Sequence, residues 1–270
     1  MNELPGSPLN PSTGSGQRAE PAPATQEARI ALPSLVPTAT YVIIGITVIF
    51  YILQKLSVVV FGYAVYQIDW LEVYGARFNA AIRAGELWRF ITPVFLHGSV
   101  PHIFFNMYAL LSLGSFLEKH YGHSRFVLLY FLAGFSGNVF SFLLTGENGY
   151  SVGASTAVFG LVAAEVVFFY QNRKLFGSQA KQAISNAVFI IAVNLFIGLT
   201  PGIDNWGHVG GLLGGAMFAW FASPRWEVTG IFPNFHLQDE REFRDNVLGA
   251  GLVILIFGAL AAFGLFWLEH

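Results

Sequence analysis

Seven apolar stretches, most of them near the 20 residues that a membrane-spanning helix needs, recur along the chain. They cover about residues 36–56, 100–118, 125–145, 153–171, 183–200, 205–222 and 247–268. They are too long for the strands of a membrane barrel and lack the alternation of such strands. Helices are the remaining structure that satisfies every backbone polar group in lipid. The sequence therefore predicts an all-α polytopic membrane protein, in agreement with a content of only 11% charged residues.

Composition divides the chain into four parts. Residues 1–34 are rich in Pro, Gly, Ser and Ala, and they bury too little apolar surface to offset the entropy of ordering, so we expect a flexible cytoplasmic tail. Residues 35–222 hold six spans, and a polar loop, 223–246, leads to the seventh span within residues 247–270. Residues 57–97, the 1–2 loop, join the first two spans, and their Trp and Tyr content predicts a folded hairpin in the membrane interface.

The basic residues are distributed unevenly between the two sides of the predicted bundle. The N-terminal tail and every second loop hold ten of the 14 Lys and Arg residues, whereas the other side holds Lys55, Arg77, Arg83 and Arg89. The positive-inside rule then predicts a cytoplasmic N-terminus and an outer C-terminus. A net charge of −2 gives no electrostatic footprint for nucleic acid.

Polar residues near the outer ends of three spans are candidates for chemistry, because polar groups are costly in lipid. Ser155 lies among small residues in GASTAVFG, and its hydroxyl is either accessible or bonded back to its own helix. His208 opens a span whose glycines recur every four residues, a pattern typical of close helix packing. His102 and Asn106 share one helix face. A Zn²⁺ site formed by His97, His102 and His208 is disfavoured, because neither Cys nor a nearby carboxylate is present.

The combination of these residues favours acyl transfer. A Ser hydroxyl needs a base to become a nucleophile, and His208 is the candidate base for Ser155. His102 and Asn106 offer side-chain donors for a developing oxyanion, beside a backbone N–H near Ser155. Asp204 is better placed to cap the helix of His208 than to complete a triad. The sequence thus predicts a Ser–His dyad that works without a metal or another cofactor.

Over residues 36–222 the chain resembles the rhomboid family of intramembrane serine proteases. The shared motifs occur in the family's order: WR at Trp88 and Arg89, HxxxxHxxxN at His97, His102 and Asn106, GxxxExxxG around Glu118, GxSx from Gly153, and HxxGGxxxG from His208. The resemblance implies a six-helix core with one additional C-terminal transmembrane helix. It implies that Ser155 is the nucleophile and His208 the general base. The oxyanion hole would consist of His102, Asn106 and the backbone N–H of Ser155.

The resemblance also implies supporting residues. His97 would support the 1–2 loop, whose interfacial hairpin would contain Trp88 and Arg89, while Glu118 and glycines such as Gly153 would hold the fold. Two positions depart from the pattern. Thr156 follows the nucleophile where Gly is most common, so a branched side chain could narrow the site. Phe159 replaces a frequent Tyr, and we expect its ring to stack on the imidazole of His208, because stacking needs no hydroxyl.

The function that the resemblance implies is cleavage of peptide bonds in or near the transmembrane helices of single-pass membrane proteins. Two alternatives stay open. A rhomboid-fold pseudoprotease would bind such helices without cleavage, and a small transporter would use Glu165 as a proton carrier, although we find no convincing internal repeat. The tail lacks the features of a signal peptide and carries Glu3, Glu20 and Glu27. We therefore expect a bacterial plasma membrane, with the active site on its outer side.

Overall fold

A computed structural model describes residues 29–31, 35–61 and 68–266. Most of the predicted tail, residues 1–28 and 32–34, lies outside the described residues. Seven long helical segments follow one another: α1 (Thr38–Phe61), the segment formed by α4 (Val100–Ala109) and α5 (Ser115–Tyr121), α6 (His123–Leu144), α7 (Ser155–Gln171), α9 (Ser178–Ile197), α10 (Asn205–Ala222) and α11 (Phe243–Phe266). Short helices α2 (Trp70–Gly75), α3 (Asn79–Arg83) and α8 (Arg173–Phe176) lie between them.

The predicted class, an all-α polytopic membrane protein, is confirmed. Five segments of the described chain are long and apolar enough to cross a membrane: Thr38–Val60, Val100–Tyr121, His123–Leu144, Ser178–Ile197 and Phe243–Phe266. The two other long helices, α7 with 17 residues and α10 with 18, are the enclosed ones, because neighbouring helices bury 12 residues of α7 and nine of α10. A helix surrounded by protein does not need the length or hydropathy of one that faces lipid.

Glycines bring α10 into close contact with α6 and α7. A Cβ atom at Gly211 would overlap the backbone carbonyl of Thr156, and one at Gly215 would overlap the backbone of Gly160. On the side facing α6, a Cβ at Gly210 would overlap Phe140 and the carbonyl of Ser136. The predicted packing face is therefore present, and it places backbone against backbone in the centre of the bundle.

A buried carboxylate joins the second span to the first. Glu118 of α5 accepts hydrogen bonds from the N–H groups of Ala39 and Thr40, both at 2.7 Å, and from the Thr40 hydroxyl at 2.6 Å. His123 Nδ1 contacts the same carboxylate. The first N–H groups of a helix have no partner within the helix, and they carry a partial positive charge that favours an anion. Glu118 thus caps α1 from a different element.

Between α4 and α5 the helix widens into a π-helical turn, Leu110–Gly114. Each turn of a π-helix holds more residues than an α-turn, and such segments are often found near functional sites. The turn separates His102 and Asn106, which lie before it, from Glu118, which lies after it.

In residues 68–97, the part of the 1–2 loop that the structure describes after α1, the chain forms short elements rather than a hairpin. After α1 come α2, strand β2 (Arg77–Phe78), α3 and two 3₁₀ turns, Leu87–Phe90 and Thr92–Phe95. Strand β2 pairs antiparallel with β3 (Tyr150–Ser151), which precedes α7.

The WR motif connects these short elements. The guanidinium of the buried Arg89 donates to the carbonyls of Ala76 at 2.7 Å and Val73 at 2.8 Å and to the Glu86 carboxylate at 2.8 Å. The exposed Trp88 donates from Nε1 to the carbonyl of Tyr74 at 2.9 Å. Both side chains therefore hold the segments of the 1–2 loop together.

The loop between α10 and α11 folds as a β-hairpin of β4 (Trp226–Ile231) and β5 (Asn234–Asp239). Strand β1 (Arg29–Ala31), from the end of the predicted tail, pairs in parallel with β5. An Arg125–Asp239 ion pair at 2.6 Å connects the hairpin to the start of α6. The segments before α1 and after α10 therefore meet at one end of the bundle.

Candidate active site

Ser155 and His208 come together at the ends of the two enclosed helices. Ser155 is the first residue of α7, and His208 lies in the first turn of α10. Their Oγ and Nε2 atoms are 3.0 Å apart, which is hydrogen-bonding distance. Ser155 is partly exposed and His208 is buried. The two residues lie 53 positions apart in sequence, so the contact depends on the close glycine packing of α7 against α10.

Phe159 fixes the plane of the imidazole. The Phe159 and His208 rings are stacked, with centroids 4.1 Å apart and an interplanar angle of 9°. The predicted stacking is confirmed, and it does not need the hydroxyl of a Tyr. The stack leaves the Nε2 edge of His208 directed at Ser155 Oγ.

His102 lies beside the backbone that leads to Ser155. Gly153 has φ of +127°, and a Cβ atom at this position would lie 2.6 Å from His102 Nε2. Glycine is therefore required here for its backbone conformation and for the space that His102 occupies. Asn106, one turn further along α4, donates from Nδ2 to the carbonyl of His102 at 3.0 Å. An amide carries two N–H groups, so Asn106 keeps a second donor.

His97 contacts the same turn from the other side. Its Nε2 accepts a hydrogen bond from the N–H of Ala154 at 3.3 Å, and its ring packs edge-on against that of His102. Burial, and then the nearby charge of His102, lower the pKa of His97 to about 3. The ring is therefore neutral near pH 7, which Nε2 requires in order to accept. His97 holds the residue before Ser155, a more direct role than the predicted support of the 1–2 loop.

Thr156 points into the helix packing. Its side chain is 2% exposed. A Cβ atom at Gly137 of α6 would lie 2.6 Å from Thr156 Cβ, and one at Gly207 of α10 would lie 2.9 Å from Thr156 Cγ2. The branched side chain thus fills the space that two glycines leave, and its hydroxyl finds no hydrogen-bond partner among the described residues.

Asp204 caps α10, as predicted, and also joins three elements. Its carboxylate accepts hydrogen bonds from the Gly207 N–H at 2.9 Å and from the Ser141 hydroxyl of α6 at 2.6 Å. Arg77 of the 1–2 loop, 1% exposed, places its Nε 3.6 Å from the same carboxylate. Asn79 and Thr145 accept from Arg77 Nη1. This cluster positions the start of α10, four residues before His208.

Sequence reasoning did not identify Arg77, Asn79 or Ser141 as part of the site. The available signal was a charged residue, Arg77, in a segment placed against the membrane, where charge requires a partner. Glu165 lies in α7 about three turns after Ser155 and does not contact the Ser–His pair. In the described part of the chain, no three His, Asp or Glu side chains are grouped as a metal site.

Fold and site together define a class: an integral membrane protein whose described residues form seven long helical segments, and in which a Ser hydroxyl meets a His ring on two enclosed helices. Comparison with known proteins makes the class specific. The sequence profile of the Rhomboid domain matches residues 84–225. This chain belongs to the rhomboid family.

Individual relatives agree. The chain is 37% identical over 180 residues to "Rhomboid protease GluP" of Bacillus subtilis (strain 168), covering 66% of this chain and 34% of that protein. It is 35% identical over 153 residues to "RHOMBOID-like protein 9, chloroplastic" of Arabidopsis thaliana, covering 56% of this chain and 35% of the relative. For "RHOMBOID-like protein 5" of the same plant the identity is 30% over 211 residues, covering 74% of this chain and 68% of that protein. The match spans about a third of the first two relatives.

Proposed function

We propose that this protein is an intramembrane serine endopeptidase that cleaves peptide bonds in or near the transmembrane helices of membrane-protein substrates. The observation that carries the proposal is the 3.0 Å contact between Ser155 Oγ and His208 Nε2, in a ring plane set by Phe159. A name among the relatives, "Rhomboid protease GluP", supports protease activity. Single-pass proteins are the expected substrates.

In the proposed mechanism His208 Nε2 accepts the proton of Ser155 as Oγ attacks the scissile carbonyl carbon. His208 then gives that proton to the leaving amine, which departs and leaves an acyl-enzyme. Water, deprotonated by His208, attacks the ester carbonyl and releases the second product together with free Ser155. No Asp or Glu contacts His208 as a third member in the described residues. Asp204 acts at the start of α10 instead.

Donors for the oxyanion are available around Ser155. The N–H of Ser155 belongs to the first turn of α7 and has no acceptor within its own helix. The same helix end carries a partial positive charge, which favours a developing anion. His102 and the free N–H of Asn106 complete the proposed oxyanion hole. Losing one such donor typically costs about 10²–10³ in rate.

We place the N-terminus in the cytoplasm and the active site towards the outer side of a bacterial plasma membrane. The support is the charge distribution, with ten of 14 basic residues in the tail and loops on the side opposite Ser155. Modification of single engineered Cys residues by a membrane-impermeant reagent tests this orientation, because the native chain contains no Cys.

A fluorophosphonate probe tests the dyad directly, since it reacts only with an activated serine. We expect labelling of the wild type in detergent, none of Ser155→Ala and little of His208→Ala, with folding checked by thermal melts. Asn106→Ala should keep measurable cleavage of a reconstituted single-pass substrate, reduced about 10²–10³-fold. Ser112→Ala is the matched control, because Ser112 is exposed in the π-helical turn that follows α4.

The probe also decides between the protease and the alternative, a rhomboid-fold pseudoprotease. A folded wild type that neither labels nor cleaves would establish the pseudoprotease. Cleavage that persists in folded Ser155→Ala would exclude the dyad.

A further inference from the structure

A cavity of about 510 Å³ lies at the basic end of the bundle, far from the Ser–His pair. It opens where α7 and α10 end and where β4 begins. Its walls include Arg173 and Lys174 of α8, Arg225 and Trp226 at the start of β4, and the aromatic rings of Tyr170 and Trp220. The proposed mechanism uses none of these residues.

Side-chain hydrogen bonds hold the walls of this cavity in place. Asn172, 4% exposed, donates to the carbonyls of Phe168 and Pro224, both at 2.9 Å, and accepts from the N–H of Trp226 at 2.8 Å. Gln171 donates to the carbonyl of Trp220 at 2.9 Å. The ends of α7 and α10 and the start of the hairpin are therefore fixed relative to one another.

The cavity has an excess of positive charge. Three basic side chains line it, and Glu240 is the one acidic residue in its lining. Arg173 uses one nitrogen to donate to the carbonyl of Tyr170 at 2.8 Å, and Arg225 uses Nε to contact Gln171 at 3.4 Å. The side chain of Lys174 makes no hydrogen bond within the described chain. The remaining guanidinium nitrogens and the ammonium group are donors open to an anion.

Trp226 adds an unpaired donor. Its indole Nε1 is buried and has no hydrogen-bond partner within the described residues. A buried N–H without an acceptor costs free energy, so an acceptor that enters the cavity would be bound favourably.

Two rings give the cavity an apolar side that faces lipid. Tyr170 and Trp220 stack with centroids 6.2 Å apart, and they are 47% and 48% exposed. Aromatic rings at the ends of membrane helices lie at the level of the lipid headgroups. Cations at the same level attract anionic lipids.

We propose that this cavity binds the phosphate group of an anionic lipid headgroup, with Arg173, Lys174 and Arg225 around the phosphate. The Trp226 N–H donates to a headgroup oxygen, and an acyl chain runs along Tyr170 and Trp220. Inorganic phosphate shares the chemistry of the headgroup but has no acyl chain to place on the rings. The lipid is therefore the expected source of the phosphate.

Native mass spectrometry tests this proposal on the full-length protein. The protein is titrated in detergent with phosphatidylglycerol or phosphatidylcholine of identical acyl chains, and the first lipid adduct is quantified. We expect the wild type to retain phosphatidylglycerol preferentially. The triple variant Arg173→Gln/Lys174→Gln/Arg225→Gln should lose this adduct at least about tenfold. The matched control Lys119→Gln/Lys181→Gln/Arg244→Gln removes equal charge from the same end of the bundle and should retain it.

Each outcome supports or overturns the site. Equal retention of the phosphatidylglycerol adduct by the wild type and the triple variant of the cavity overturns the proposal. Equal loss of the adduct in both triple variants also overturns it, because that result would indicate a general attraction of anionic lipid to the basic end of the bundle. If the triple variant of the cavity does not fold, the single variants Lys174→Gln and Trp226→Phe test the proposal instead. Each of them leaves the contacts at the helix ends intact. Each should weaken the adduct about threefold, and unchanged retention in both overturns the proposal. A thermal-shift series with inorganic phosphate distinguishes the sources: stabilisation by phosphate without lipid adducts assigns the site to the free anion.

Discussion

Helices α9 and α10 have similar lengths but opposite surroundings. In α9 only Ala180 and Ala187 are buried among its 20 residues, and large side chains such as Phe189 and Phe196 are exposed. In α10 half of the 18 residues are buried, among them five glycines on the faces towards α6 and α7. The residue that contacts Ser155 lies on the enclosed helix. Enclosure therefore fixes His208, whereas α9 is held loosely at the side of the bundle.

The comparison also shows what hydropathy measures. By length and hydropathy α9 qualifies as a membrane span, and α10 does not. The helix that fails this hydropathy criterion is nevertheless the central one, because glycines contribute little hydropathy but permit close backbone contact. Substitutions in the two regions should therefore differ sharply in effect.

The largest effect is expected at Gly211. In Gly211→Ala the new Cβ overlaps the carbonyl of Thr156, and backbone atoms cannot move aside as a flexible side chain can. We expect a loss of about 3 kcal/mol or more in unfolding free energy, together with loss of probe labelling. Thermal unfolding in detergent and the yield of folded protein measure it.

Gly45→Ala in α1 is the matched control for Gly211→Ala. A Cβ at Gly45 meets no atom within 4 Å. Ala is preferred to Gly inside a helix, so this variant should be as stable as the wild type or more so. Equal destabilisation of both variants would contradict the proposed difference between enclosed and outer helices.

An intermediate effect is expected at Thr156. Thr156→Gly should not relieve a narrow site, because the side chain fills the space between Gly137 and Gly207. Removing it leaves a cavity, and we expect a loss of about 2 kcal/mol without a gain in labelling rate. Thr156→Val keeps the volume and removes a buried hydroxyl that has no partner in the described chain, so it should be neutral or stabilising. Faster labelling of a stable Thr156→Gly would restore the view that Thr156 narrows the site.

The smallest effect is expected on α9. Phe196 is 75% exposed, so Phe196→Ala should change the unfolding free energy by less than about 0.5 kcal/mol. Phe218 of α10 is fully buried, and Phe218→Ala should cost about 3–5 kcal/mol. Chemical denaturation of both variants in the same detergent measures the contrast. Similar losses would mean that α9 is packed more firmly than its burial indicates.

Sequence patterns predicted the long helices and the residues near Ser155 for local reasons. Apolar length marks a span, and the four-residue glycine spacing marks the face of α10 that meets its neighbours. The stacking of Phe159 on His208 was predicted from the resemblance, because Phe159 replaces a frequent Tyr one turn after Ser155. The roles of Ser155, His208, His102 and Asn106 in catalysis remain predictions, although the structure brings all four together.

Other features could not be predicted because they depend on distant contacts. The Arg77–Asp204 pair joins residues 127 positions apart, a separation at which sequence gives no pairing signal. The hairpin Trp226–Asp239 reads as a polar loop, because none of its residues is fully buried and exposed and half-buried side chains alternate only in β5. The parallel pairing of β5 with Arg29–Ala31 joins a segment before α1 to a segment after α10, so it depends on how the helices between them pack.

The π-helical turn Leu110–Gly114 makes the second span sensitive to the number of its residues. A π-turn holds about one residue more than an α-turn. Deleting one residue here would convert the wide turn to an α-turn and leave both flanking segments facing as before, with His102 and Asn106 beside Ser155 and Glu118 at the first turn of α1. Deleting a second residue would rotate Glu118 away from α1, because each residue of an α-helix advances the chain by about 100° around the axis. The second span should therefore tolerate the loss of one residue at this place but not of two.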